Sequence, residues 1–354
     1  MSWAIFPQII QTAYTKKLFD EPNDRKLHKE AVPRLGGFAF LPIFFFSIAF
    51  VNASERIITA GREDNRMFMQ PDFLFLFCGL ILLYFLGIRD DLTGVRYRSK
   101  FAVQFTVAAL IPLSGLWISD LHGFSGIHAV APCIGVPFTI LLVVFIMNAV
   151  NLIDGIDGLA ASLCILSLAI LGGAFLFYRA GEDYALPAFA TVGLLIPFFF
   201  YNVFGQAGKS KIFMGDSGSL TLGYIIAFLA IRFVTAPPAW PHTESAIALT
   251  FGPLAVPVFD VCRVILVRAR KGLHLFTADR NHIHHKFLTM GFSPRAALLA
   301  IFSMSVCFTL LNAFLVQYLN SAIILLTDAL LWTGLHLYFN RVIRKREVLG
   351  NYKI

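Results

Sequence analysis

Polar side chains recur at intervals of three residues between Asn148 and Asp157, at the end of a long apolar segment. Asn148, Asn151, Asp154 and Asp157 form the series. On a helix, this interval places the first three on a slowly rotating stripe of one face. Mg²⁺ usually takes one or two carboxylates together with phosphate oxygens of a substrate, so the series fits a magnesium site. A turn with helix caps is the alternative, although it does not explain the two asparagines.

Three more aspartates lie where apolar segments begin or end. Asp90 and Asp91 follow one such segment. Adjacent side chains point in different directions on a helix, so at most one of the pair can aim into a given site. A solvated acidic helix end is the alternative for this pair. Asp216 precedes another apolar segment, where it would either bind a metal ion or cap the N-terminus of a helix.

A basic segment contains three histidines within four residues. Its positive charge opposes the binding of a transition metal and favours a polyanion such as a phosphate ester. A solvated basic loop is the alternative. The candidate residues of this segment are Arg268, Arg270, Lys271, His282, His284 and His285.

Together these clusters supply carboxylates and amides for Mg²⁺ and basic groups for phosphates. That combination is typical of phosphoryl transfer, in which positioning and charge neutralisation provide most of the catalysis. The sequence has no GxxxxGK[ST] motif, which excludes a P-loop ATPase. Because the clusters border apolar segments, we expect one substrate to be a lipid phosphate and the other a soluble nucleotide.

The elements that must position these side chains are predicted to be transmembrane helices. The chain has 354 residues, of which 57% are hydrophobic and 14% charged, and its mean hydropathy is +0.72. Soluble domains carry about 25% charged residues, which disfavours a cytosolic enzyme. A helix that crosses a membrane needs about 20 apolar residues. Such stretches lie at 35–53, 73–88, 101–118, 131–150, 159–178, 186–204, 218–236, 247–266, 296–317 and 321–339, with a shorter one at 2–15.

The predicted fold is therefore an all-α integral membrane protein, a polytopic bundle of 10 or 11 transmembrane helices that forms a single domain over residues 1–354. Segments 52–70 and 236–244 are predicted to be outer loops. Alternate loops differ strongly in their content of Lys and Arg, and the basic set faces the cytoplasm. All four polar clusters lie on that side, and the net charge of +8 then needs no nucleic-acid partner. Of the Lys and Arg residues, the opposite side holds only five, which are Arg56, Arg62, Arg66, Arg179 and Arg232.

The motifs resemble, in kind and order, those of the polyprenyl-phosphate N-acetylhexosamine-1-phosphate transferase superfamily, or glycosyltransferase family 4. The histidine segment is most similar to that of the WecA/TagO-like branch. In chain order the matching motifs are Arg25-Lys26-Leu27-His28, Pro33-Arg34-Leu35-Gly36-Gly37, Asp90-Asp91, the series from Asn148 to Leu159, Phe213-Met214-Gly215-Asp216 and His282-Ile283-His284-His285.

This resemblance implies an enzyme of the bacterial cytoplasmic membrane with its active site facing the cytoplasm. It would transfer N-acetylglucosamine-1-phosphate from UDP-GlcNAc to undecaprenyl phosphate and release UMP, in the first membrane step of a cell-envelope polysaccharide. It also implies a Mg²⁺ ion, for which Mn²⁺ can substitute, held by Asp216 and Asn151.

The resemblance further implies roles for the other candidate residues. Asp90 and Asp91 would attend the lipid phosphate and the metal, and Asp154 and Asp157 would contact the nucleotide. The substrate-binding residues would be Lys26, His28, Arg34, Asn148, Arg268, Arg270, His282, His284 and His285.

Other interpretations stay open at the level of the sequence. The composition also suits a transporter, for which Asp328 is the one ionisable candidate near the middle of a predicted span. A membrane phosphatase acting on a lipid diphosphate would share the magnesium and phosphate chemistry. A transferase could use another UDP-N-acetylhexosamine, and the sequence leaves open whether two copies form a homodimer.

Overall fold

The computed structural model describes residues 1–16, 18, 32–58, 70–236, 246–273, 281–348 and 350. Most of these residues are helical. Short 3₁₀ helices cover Gly36–Ala39 and Glu182–Tyr184, and β1 (Asp120–Phe124) pairs antiparallel with β2 (Ile127–Ala129). The α-helices are α1 (Ser2–Lys16), α2 (Phe40–Ile58), α3 (Pro71–Thr93), α4 (Tyr97–Leu113), α5 (Pro132–Ile153), α6 (Leu159–Phe177), α7 (Ala185–Phe204), α8 (Gly215–Val234), α9 (Ala246–Arg270), α10 (Ile283–Thr289), α11 (Pro294–Leu315) and α12 (Ser321–Val348).

Within the described ranges, nine helical segments are long and apolar enough to cross a membrane. The prediction of an all-α polytopic membrane protein is therefore confirmed. The helix α4, with 17 residues, lies at the short end of the length that spans a bilayer. The helix α1, with 15 residues, extends only about 22 Å and packs its Phe6 against Phe40 and Phe198.

Two predicted segments differ from the structure in their boundaries. The span predicted at 101–118 begins earlier, at Tyr97, and ends at Leu113, because Gly115 turns the chain with a φ of +88°. The outer loop predicted to begin at Asn52 begins later. Asn52 is a buried residue of α2, where its side-chain amide donates to the Ile48 carbonyl oxygen (2.9 Å) and so satisfies itself within the helix. The loop predicted at 236–244 lies almost wholly outside the described residues.

The helix α8 forms the centre of the bundle, where it packs against α3, α5, α6 and α9. Every residue from Ser217 to Ile231 is buried. Gly87 of α3 lies so close to Ser217 that a β-carbon there would overlap the α8 backbone. Around this centre, the outer helices expose large apolar side chains such as Phe85 and Phe177, as expected where lipid replaces water.

The two ends of α8 have different surroundings. At its C-terminus the β1–β2 hairpin approaches, and the His122 ring contacts the Val234 carbonyl oxygen (Nε2 to O, 2.6 Å). At its N-terminus, α8 meets the last turn of α3 and the last turn of α5. This second end carries Asp90, Asp154 and Asp216, and we call it the carboxylate end.

Candidate functional site

Three backbone hydrogen bonds join the Pro33–Gly37 segment to the residues just before α8. Phe213 N donates to Pro33 O, Gly36 N to Phe213 O and Gly37 N to Met214 O, each at 2.9 Å. A β-carbon on Gly37 would overlap the Gly218 backbone, which explains why the close approach needs glycine. Arg34 of this segment is exposed at the carboxylate end, close enough to Asp154 to interact with it electrostatically.

Asp91 holds the first turn of α8. Its carboxylate accepts hydrogen bonds from Asp216 N (2.7 Å), Ser217 N (3.1 Å) and the Ser217 hydroxyl (2.6 Å). These backbone N–H groups have no partner within α8 itself, so Asp91 caps α8 from another helix. The N-cap interpretation of Asp216 is therefore wrong, because Asp216 lies inside the first turn and its own N–H is the group that is capped.

Asp90 points the other way, as expected for adjacent residues on a helix. Its Oδ1 accepts from Val95 N (2.7 Å), and its Oδ2 lies 3.0 Å from the Lys100 ammonium. Lys100 also contacts the Asp216 carboxylate, so one lysine joins the two aspartates. The Asp90 side chain is only 12% exposed. A solvated acidic helix end is therefore the wrong interpretation of this pair.

Asp216 and Asn151, which the family resemblance pairs as metal ligands, lie together. Asn151 Nδ2 donates to Asp216 Oδ1 (3.1 Å) and to the Ser219 hydroxyl (2.8 Å), which leaves the Asn151 carbonyl oxygen for another partner. The Asp216 side chain is 31% exposed and so accessible from the solvent-facing side of the carboxylate end, which we call the cleft. The described residues contain no group of three His, Cys, Asp or Glu side chains suited to a metal. This pair fits Mg²⁺ only together with phosphate oxygens of a substrate.

Asp154 and Asp157 flank the turn between α5 and α6. Asp154 keeps solvent contact through the cleft although protein atoms crowd its carboxyl group. This desolvation, with the Asp216 carboxylate nearby, raises the pKa of Asp154 to about 7, while Arg34 opposes the rise. Asp157 forms an ion pair with Lys211 (2.5 Å), which joins the turn to the segment that precedes α8.

Asn202 of α7 fixes the same two segments through its buried side chain. Its Oδ1 accepts from Gly158 N (2.5 Å), and its Nδ2 donates to Ile212 O (2.8 Å). Gly158 has a φ of +78°, which favours glycine at this turn. Asn148, by contrast, uses its amide to link α5 to α4, donating to Gln104 Oε1 and Val144 O at 2.7 Å each.

The histidine helix α10 is held by a second carboxylate, Asp260 of α9, which is buried and only 1% exposed. Asp260 accepts from Ile283 N (3.0 Å) and lies 2.8 Å from both His282 Nδ1 and an Arg263 nitrogen. A histidine whose Nδ1 bonds to a carboxylate has its ring orientation and tautomer fixed, with Nε2 left for another partner. His282 is therefore an oriented side chain, not part of a solvated loop.

His284 connects the histidine helix to the carboxylate end. It is 2% exposed, and its ring lies against Gly155, where a β-carbon would clash with it. Burial, together with the His285 and His282 rings, lowers the pKa of His284 to about 3. The side chain is thus neutral at physiological pH, which suits positioning better than the anion contact predicted from the sequence. That predicted contact stays untested, and partly exposed His285 stays a candidate for it.

Other basic groups of this region have varied surroundings. Lys286 of α10 contacts His336 Nδ1 (3.1 Å) and Asn340 Oδ1 (2.8 Å) of α12, and burial lowers its pKa to about 8. Arg268 is buried near the end of α9, whereas Arg270 is exposed there. Lys26 and His28 lie outside the described residues.

Sequence reasoning did not single out several residues that the structure brings to this region: Lys100, Lys211, Asn202, Ser217 and Asp260. One signal was available, since each stands within a few residues of a candidate aspartate or of an apolar segment.

The sequence of this chain is also similar to those of known proteins. The profile of glycosyl transferase family 4 matches residues 73–234. The chain is 31% identical over 290 residues to the undecaprenyl-phosphate alpha-N-acetylglucosaminyl 1-phosphate transferase of Yersinia pestis, an alignment that covers 80% of this chain and 73% of that protein. It is 29% identical over 341 residues to the probable undecaprenyl-phosphate N-acetylglucosaminyl 1-phosphate transferase of Bacillus subtilis, covering 96% of this chain and 86% of that relative.

Proposed function

Because this chain belongs to glycosyl transferase family 4, we propose that it transfers N-acetylglucosamine-1-phosphate from UDP-GlcNAc to undecaprenyl phosphate. The family resemblance inferred from the order of the motifs is thereby confirmed. The observation that carries the proposal is the meeting of Asp90, Lys100, Asn151 and Asp216 at the carboxylate end, where α3, α4, α5 and α8 converge.

In the proposed reaction, an oxygen of the acceptor phosphate forms a bond to the phosphorus that carries N-acetylglucosamine. The phosphoanhydride bond to the uridine side breaks, and UMP leaves with the electron pair. A phosphate monoester has its second pKa near ~6, so the acceptor is already largely deprotonated at neutral pH. Asp90, paired with Lys100, therefore serves to orient the acceptor and does not need to remove its proton.

Asp216 and the carbonyl oxygen of Asn151 would hold Mg²⁺ beside the diphosphate. When bound there, Mg²⁺ supplies charge neutralisation for the diphosphate. Lys100 contacts the same carboxylate, and it is free to turn toward a phosphate once a cation shares Asp216. Arg34 and Lys211 add positive charge near Asp154 and Asp157, where the resemblance puts the nucleotide.

The orientation belongs to the same proposal: the carboxylate end faces the cytoplasm of a bacterial cell, where UDP-sugars are available. The distribution of Lys and Arg among the loops supports it. A reporter inserted at Lys209 should report the cytoplasm, and one inserted at Ser125 between β1 and β2 should report the outside. The reverse pattern would refute this orientation.

The deciding experiment for the transfer uses purified protein with UDP-GlcNAc and Mg²⁺. UMP release should require undecaprenyl phosphate and should produce the lipid-linked diphosphate sugar. Release of nucleotide without the lipid would identify a hydrolase instead. A parallel reaction with UDP-GalNAc tests the sugar, and we expect it to be slower.

A further inference from the structure

An ionisable side chain unrelated to the carboxylate end lies within the membrane-spanning part of α12. Asp328 is 0% exposed, and it is enclosed where α12 packs against α9 and α11. It follows Ser321 by two helical turns, so it lies in the half of the bundle opposite the carboxylate end. A charged carboxylate is costly in this setting, and the proposed transfer reaction does not use it.

Asn312 of α11 is the partner of Asp328. Its Nδ2 donates one hydrogen to Asp328 Oδ2 (2.9 Å) and the other to the Ala248 carbonyl oxygen of α9 (3.1 Å). The Ala248 oxygen can only accept a hydrogen bond, which fixes the identity of the amide nitrogen. Two oxygens are left over. Both Asn312 Oδ1 and Asp328 Oδ1 are buried, and neither has a hydrogen-bond partner among the described residues.

A single proton placed between them would give both of these oxygens a hydrogen-bond partner. An ionised carboxylate accepts hydrogen bonds only, whereas a protonated one carries a hydroxyl donor. We propose that Asp328 holds a proton in the membrane and donates it from Oδ1 to Asn312 Oδ1, which closes a two-bond ring between acid and amide. The ring removes the charge and satisfies both oxygens, each of which would otherwise cost free energy as an unpaired buried acceptor.

The packing around the pair favours a proton over a metal cation. Beside the pair, α9 contributes the Ala248 carbonyl oxygen and Gly252, which packs against Asn312, so Asp328 supplies the one carboxylate of these residues. On α12, the next polar side chains along the same face are Trp332 and His336, one and two turns away. A metal ion needs more oxygen ligands than the pair and the Ala248 carbonyl provide.

Infrared spectroscopy of the full-length protein in lipid nanodiscs tests the proton directly. The wild type should show a carboxylic-acid C=O band that Asp328→Asn removes. The exchanged pair Asp328→Asn/Asn312→Asp should restore the band, because the acid and the amide change places in the ring, while the Ala248 carbonyl oxygen loses its donor. If the wild type shows no acid band that depends on Asp328, the side chain is ionised and the proposal is overturned.

Thermal unfolding gives a second readout that does not depend on transferase activity. Asp328→Asn can form an amide–amide ring of the same shape, so its Tm should match the wild type, whereas Asp328→Leu should lower Tm by several degrees. Equal losses for both variants would contradict the ring. Replacing Na⁺ by choline should leave the wild-type Tm unchanged, and a sodium-dependent rise that Asp328→Asn abolishes would assign the site to a metal cation instead.

Discussion

Asp91, which is partly buried, and Asp260, which is buried, both accept hydrogen bonds from the first turn of another helix, and they differ in their remaining partners. Asp91 holds α8 through two backbone N–H groups and the Ser217 hydroxyl. Asp260 holds α10 through one backbone N–H group and adds the His282 ring and Arg263. The first carboxylate fixes a backbone, whereas the second also fixes the orientation of a histidine side chain.

This difference separates anchoring aspartates from those that face the cleft. The Asp91 carboxylate uses its hydrogen bonds to fix the position of α8 and, through α8, the position of Asp216. Asp90, Asp157 and Asp216 are instead paired with lysines, which can exchange a carboxylate for a phosphate. We therefore expect substitutions of Asp91 and Asp260 to have different effects from each other. We also expect both to differ in effect from substitutions of the cleft aspartates.

The largest effect should come from Asp216→Asn, the residue that Asp91 positions. The substitution keeps the size of the side chain but removes its charge, so UMP release should fall by roughly 10²- to 10³-fold. A matched control is Glu182→Gln, an exposed carboxylate at the other end of the bundle, which should keep its activity. Near-normal turnover by folded Asp216→Asn protein at ordinary Mg²⁺ would end the metal assignment.

Asp260→Asn should have the next largest effect. An amide cannot accept from His282, Ile283 and Arg263 as a carboxylate does, so His282 loses its fixed orientation. A hydrogen bond to a charged group is worth about 1.5–3 kcal/mol, which corresponds to roughly ten- to a hundredfold in kcat/KM. The dependence on Mg²⁺ should stay as in the wild type. A shifted Mg²⁺ requirement would mean that α10 belongs to the metal site.

Asp91→Asn should reduce stability more than chemistry. An asparagine offers one acceptor oxygen to three donors, and its amide hydrogens oppose the N–H groups of α8, which should cost about 1–3 kcal/mol of folding free energy. Thermal unfolding measures the loss, and the surviving folded protein should keep its Mg²⁺ dependence. A stable Asp91→Asn protein without activity would instead place Asp91 among the cleft residues.

The last effect concerns pH and is absent at neutral pH. The pKa of His284 falls from 6.5 to about 3 on folding, so between these values the unfolded chain binds the additional proton. Stability should therefore decrease as the pH falls through that window, by at most about 1.4 kcal/mol per pH unit. His284→Phe keeps a ring against Gly155 and should show a flatter profile between pH 6.5 and 4. His128→Phe, at an exposed position of β2, should leave the profile unchanged.

The sequence predicted which segments cross the membrane and which of their ends carry chemistry, because length and hydrophobicity determine the first and polar residues beside apolar ones reveal the second. Asn151 and Asp216 were paired only through the family resemblance, and the structure brings them together. The division of labour between Asp90 and Asp91 could not be predicted. It depends on which side chain meets the α8 backbone once α3 packs against it.

The lysine partners of the aspartates could not be predicted from the sequence for a related reason. Lys100 lies at the start of α4 and Asp216 at the start of α8, so their contact depends on how two distant helices pack. The end of α4 at Leu113 was missed because residues 114–118 are apolar enough to read as a continued span, although Gly115 turns the chain.

The contact between Gly155 and His284 also constrains how this protein can vary among its relatives. Any side chain at position 155 must displace the imidazole ring, so the two positions should change together in evolution. A relative with alanine or serine at the equivalent of Gly155 should carry a smaller residue at the equivalent of His284. The same compensation should appear in the laboratory, where Gly155→Ala is expected to be tolerated better in combination with His284→Ser than alone.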